Sequence, residues 1–113
     1  MSNQPNPRDE FHRLRTQAAQ TRVLAMRSQI ALGFTLCKII ETEREYGHVD
    51  KAQEIGRKLR KLTETVDRHL NEENYVPPND IDKLRQELLR LETTISATEE
   101  RHAGTGARPP VTE

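Results

Sequence analysis

Tryptophan is missing from this chain, phenylalanine and tyrosine occur twice each, and cysteine once. So few rings exclude a thick globular interior, because large aromatic side chains dominate such cores. They also lead to the expectation of no stacking aromatics beside the arginines, the usual complement of a phosphate-binding surface for single-stranded nucleic acid. The lone Cys37 excludes an intramolecular disulfide and a CxxC pair. Net charge is lacking too: 18 basic and 18 acidic side chains cancel over 113 residues. Any nucleic acid, anionic membrane or acidic substrate would therefore have to read a local patch.

Long apolar runs are scarce. The densest, Ile30 to Ile40, is eleven residues, includes Lys38, and falls short of the roughly 20 residues that span a bilayer. No basic segment followed by an apolar one opens the sequence, so the expectation is a cytoplasmic protein without a membrane span. No Ser/His/Asp ordering and no glycine-rich phosphate loop is present, and the chain is read as a non-enzyme without cofactors. His12, His48, His69 and His102 are far apart in sequence. Glu99 and His102 have the Glu-x-x-His spacing of di-iron bundles, but the second pair that such a site requires is absent. No metal is expected.

What the sequence does contain is helical periodicity. Ala52, Ile55, Leu59, Leu62 and Val66 step 3, 4, 3, 4, and so do Ile81, Leu84, Leu88, Leu91 and Ile95. The two ladders are separated by Pro77-Pro78, which predicts two helices pairing antiparallel along a narrow seam. Upstream, no proline interrupts Asp9 to Tyr46, so a first helix of up to 38 residues, about 57 Å long, precedes them. Val23, Met26, Ile30, Gly33, Cys37 and Ile40 form its main ladder. Ala25, Leu32, Leu36 and Ile39 add a second stripe, predicting a face wide enough for two partners.

The expected fold is all-α: an antiparallel three-helix hairpin or bundle with a long first helix. Helices are placed at about 9–46, 49–73 and 80–102, forming a single domain over 8–102. Residues 1–7 and 103–113 are expected to be disordered tails. Gly47 is expected to end the first helix in the left-handed conformation. Asp50 falls in the first turn of the second, and Asn79 or Asp80 is expected to cap the third. Gly33 is read as a close-packing contact, Cys37 as a buried small hydrophobe, and His69 as a seam-end residue reaching solvent.

The segment Tyr46-Gly47-His48-Val49-Asp50-Lys51-Ala52-Gln53-Glu54-Ile55 resembles the turn of a tetratricopeptide repeat, where glycine closes one helix and an acidic-basic-Ala step opens the next. The resemblance covers about residues 33–66, one hairpin. Solenoids stack about three repeats before a peptide groove exists, so the resemblance implies only a general use in protein association. The chain is otherwise similar to short bacterial helical proteins.

Helix lengths point to the functional element. A second helix of about 25 residues reaches back only to about residue 21 of the first, leaving Arg8 to Gln20 without a partner. Phe11, Leu14 and Ala18 on that overhang are the candidate contacts for a protein partner or a second copy in a homodimer. The alternative rests on charge. Residues 8–38 carry a basic excess of four, with Arg8, Arg15 and Arg22 recurring every seven residues, and Arg57, Lys58, Arg60 and Lys61 form a second cluster. Either set has the charge to contact nucleic-acid phosphates.

Overall fold

The computed structural model describes residues 6–72 and 75–107. Helix α1 spans Pro7–Glu45, α2 spans Val49–Asn71 and α3 spans Pro78–Ala107. These build an all-α three-helix bundle with a long first helix.

Local chemistry accounts for each boundary. Pro7 occupies the first turn of α1, where a missing N–H costs nothing. Asn6 accepts a hydrogen bond from the Arg8 backbone N–H at 2.9 Å, and Asp9 and Glu10 add negative charge where the helix dipole favours it. At the other end Gly47 takes φ +80°. Its N–H donates to the Arg44 carbonyl at 3.0 Å, and the His48 N–H reaches the Glu43 carbonyl at 2.7 Å. This pair of bonds is the Schellman closure of a helix end. Asp50 lies in the first turn of α2.

The third helix starts differently from the sequence expectation. Pro78 itself opens α3, ahead of both Asn79 and Asp80, either of which was expected as the cap, and both sit inside the first turn. A proline at the first helical position is pre-set in φ and gives up only a donor that would be unpaired there anyway. The helix also continues through Gly104 and Gly106 to Ala107, so part of the segment read as a C-terminal tail is helical. Residues 1–5 and 108–113 of the expected tails lie outside the described residues.

The main ladder of α1 is the centre of the core: Val23, Met26, Ile30, Gly33, Cys37 and Ile40 are all buried. Ala52, Leu59, Val66 and Leu70 meet it from α2, Leu84, Leu88 and Leu91 from α3, and Val76 from the turn. Each fully buried Leu, Val or Met contributes about 1.5–3 kcal/mol of transfer free energy. Both shorter helices pack more on α1 than on each other. The α2 and α3 ladders thus face α1 more than they zip together, and their intermediate members Ile55, Leu62, Ile81 and Ile95 are only half-buried.

Gly33 is the point of closest approach. A methyl group placed there would lie 2.5 Å from Leu91 Cδ2 and 3.4 Å from Leu59 Cδ1, so all three helices meet at a residue with no side chain. Long arginines tie the bundle at its edges. Arg44 donates to the Thr98 carbonyl at 2.9 Å, Arg27 faces Glu87 at 3.5 Å, and Arg85 of α3 caps the end of α2 through Asn71 Oδ1 at 2.9 Å.

Candidate functional site

On α1 the expected stripe of Ala25, Leu32, Leu36 and Ile39 does not widen the inner face. Leu36 packs against the core, but Ala25, Leu32 and Ile39 are exposed. The reason is angular. At about 100° per residue these three lie on the far side of the helix from Ile30 and Gly33, and both partner helices share the single inner ladder.

The exposed residues instead continue the overhang. Phe11, Leu14, Ala18, Thr21, Ala25, Ser28, Leu32, Thr35, Ile39 and Thr42 step 3, 4, 3, 4 along the entire outer face of α1. None carries a charge, and every one is exposed. Phe11, Leu14 and Leu32 leave 62%, 53% and 50% of their surface in water, and Leu24 on the flank leaves 63%. The three threonine rungs turn their hydroxyl groups inward upon their own helix. Thr21 donates to the Gln17 carbonyl at 2.9 Å, Thr35 to Ala31 at 3.3 Å and Thr42 to Lys38 at 3.0 Å. With its hydroxyl satisfied by the residue four back, a threonine needs no outside hydrogen-bond partner. Apart from Ser28, the ladder is therefore effectively apolar.

Charge is kept to the margins and the ends. Between Thr16 and Cys37 the only charged residues of α1 are Arg22 and Arg27, and both are drawn into the bundle. Arg22 donates to the Tyr75 carbonyl at 3.0 Å and lies 5.2 Å over the Tyr75 ring. That ring stacks on His69 at 4.3 Å, so His69 is a half-buried member of a turn-locking stack. Its Nδ1 faces Glu72 at 3.4 Å. The overhang meets the turn between α2 and α3, where Pro77, Pro78 and Asp80 line a shallow groove with Ala18 and Ala19.

The residues of the nucleic-acid alternative are not gathered into one face. Arg8 stands exposed in the first turn, Arg15 leans over Phe11 at 5.9 Å, and Arg22 is occupied as described. Arg57, Lys58, Arg60 and Lys61 are exposed on α2, with Arg60 4.0 Å from Glu99 of α3. Cys37 is buried among the inner ladder. Among the described residues no group of three or more His, Cys, Asp or Glu is placed to hold a metal ion. The His102 side chain lies outside the described set.

By length and composition α1 is also apolar enough to cross a membrane: an 18-residue window within it has a mean hydropathy of 1.4, with a third of that window buried against the bundle. The sequence reading, which measured only the uninterrupted run Ile30 to Ile40, missed this breadth. It also passed over Thr21, Ser28, Thr35 and Thr42 as polar. The unbroken 3, 4 spacing of uncharged residues from Phe11 to Thr42 was the available signal. Compared with family models, curated proteins and solved structures, the chain matches none.

Proposed function

We propose that the chain is a protein association module whose working surface is the outer face of α1. The observation that carries this reading is the charge-free exposed ladder from Phe11 to Thr42, at the spacing by which one helix seats on another. The candidate contacts Phe11, Leu14 and Ala18 are its first rungs, and Ala25, Leu32 and Ile39 extend it. A helix lying in a bilayer interface would present a wide bulky apolar face with a strongly charged face behind it. Here the rungs include three alanine or serine positions, and the opposite face of α1 is occupied by α2 and α3.

Light scattering coupled to size exclusion tests the proposal. Leu32→Glu places a charge on the ladder without touching the core, so association should be lost while the far-UV circular dichroism spectrum stays unchanged. An associating chain that is indifferent to Leu32→Glu would refute the outer face as the working surface.

A further inference from the structure

We infer that the occupant of the α1 outer face is a second copy of the same chain, docked antiparallel about a two-fold axis between Ala25 and Ser28. The inference rests on the association reading above and adds the partner and its orientation.

Three features of α1 favour this arrangement. The ladder is centred on its helix: the midpoint of Pro7–Glu45 falls between Ala25 and Ser28, so an antiparallel copy overlaps α1 along its whole length. Rung sizes then complement one another. Leu14 meets the partner's Ile39, Phe11 meets the partner's Thr42, Thr21 meets the partner's Leu32, and the small Ala25 and Ser28 face each other at the axis, where the backbones approach closest. A parallel pair would stack Phe11 on Phe11 and Ala18 on Ala18, leaving wide and narrow layers along one seam.

Charge decides in the same direction. The N-terminal part of α1 carries Arg8, Arg13 and Arg15 against Asp9 and Glu10, and the C-terminal part carries Glu41, Glu43 and Glu45 against Lys38 and Arg44, so the two ends differ in the sign of their net charge. Antiparallel docking sets the exposed Glu10 against the partner's exposed Lys38 on the open flank, whereas on the other flank Glu43 is already engaged by His48 at 3.1 Å. This orientation also opposes the two helix dipoles. Parallel docking would bring the arginine-rich ends together, and like charges across an interface oppose pairing. Because α2 and α3 pack on the inner ladder of α1, they leave the rungs from Thr21 to Thr42 clear for the incoming helix, and only the turn between them comes near Ala18.

The test uses the full chain. Light scattering should give twice 13.0 kDa at micromolar concentrations, and Ala25→Glu should give a monomer of unchanged helicity. Lys38→Glu should weaken the dimer at least about tenfold, equivalent to about 1.4 kcal/mol, and Lys38→Glu with Glu10→Lys should restore it. A nitroxide attached through Arg13→Cys, with the native thiol buried, should report an intermolecular distance of about 40 Å from the 1.5 Å rise per residue. A distance of about 20 Å or less, set by the 8–10 Å spacing of parallel helices, would overturn the antiparallel arrangement while leaving self-association through α1 intact. A chain that stays monomeric at all concentrations would overturn self-pairing but not docking of another protein. A dimer unaffected by Ala25→Glu would overturn both this inference and the reading beneath it. A monomer that instead sediments with phosphatidylcholine–phosphatidylglycerol vesicles, and fails to do so as Ala25→Glu, would assign the face to a lipid surface and overturn the inference.

Discussion

Two glycines inside helices should respond to the same substitution with opposite signs. Gly56 lies in α2 with no atom within 4 Å of an added Cβ. Gly56→Ala should therefore gain the helix-propensity difference alone, about 0.5–1 kcal/mol. At Gly33 the same methyl would sit 2.5 Å from Leu91 Cδ2 and 3.1 Å from Leu91 Cδ1. Carbon atoms prefer about 3.5–4.0 Å, so the overlap is about 1 Å. Leu91 is 0% exposed, so its methyl groups must shift within the core to make room. Overpacking of this kind costs about 1–3 kcal/mol, which outweighs the propensity gain and leaves Gly33→Ala destabilising by about 1 kcal/mol. In a domain of about 100 residues that lowers Tm by about 4 °C or more. Leu91→Ala alone should cost about 2–5 kcal/mol through the cavity that it opens. In the double variant that cavity receives the new methyl, so Gly33→Ala turns from destabilising to stabilising. The assay is thermal and urea unfolding followed by circular dichroism, at one fixed protein concentration so that association does not shift the midpoints. A rise in Tm for Gly33→Ala in the otherwise native chain, matching that of Gly56→Ala, would refute the three-helix contact at residue 33.

Other outcomes follow from single contacts. Gly47→Ala has free space around it but holds φ +80°, so it should lose about 1–2 kcal/mol from backbone strain alone, measured by urea unfolding. Arg22→Ala removes the hydrogen bond and the ring contact to Tyr75. It should cost about 1–2 kcal/mol and increase amide exchange at Tyr75 and Val76 relative to the core of α3. Arg85→Ala takes away the donor to the Leu70 carbonyl and to Asn71 Oδ1 at the end of α2, and should raise exchange in the last turn of α2 with little change elsewhere. If the exposed Arg57, Lys58, Arg60 and Lys61 bound nucleic-acid phosphates, retention on heparin would fall steeply with salt; weak retention that is unchanged by Gln at all four positions is the expected result.

Most of the architecture was legible because it depends on spacing and on backbone-restricted residues. The inner ladder of α1, the left-handed Gly47 and the reach of α2 back to about residue 21 all follow from periodicity and from what proline and glycine permit. Gly33 was legible as a contact for the same reason, since a glycine inside an apolar ladder marks a close approach. Orientation around the helix axis was harder. Ala25, Leu32 and Ile39 read as a widening of the inner face because two partners were anticipated, whereas α2 and α3 converge on one ladder and leave those residues outside. The α2 and α3 ladders read as a mutual zipper because they are adjacent in sequence, although α1 takes the larger share of both. Thr21, Thr35 and Thr42 were illegible as interface residues, because their apolar character depends on hydroxyl groups bonding to carbonyls one turn back. His69 looked like a solvent-facing end until the turn placed Tyr75 against it.

The inner and outer ladders of α1 share one period, and this has a mechanical consequence. A straight α-helix drifts by about 20° per heptad against a seven-residue repeat, so over the four heptads from Phe11 to Thr42 an unwound helix would carry the outer rungs around by about 80°, off any straight partner. A seven-residue inner repeat favours a left-handed coil that keeps the inner rungs in line. The outer rungs, on the same repeat, would follow it. If the outer face docks a partner as proposed, the bundle pre-shapes α1 for it, and loosening the core should blunt recognition at a surface that the core never touches.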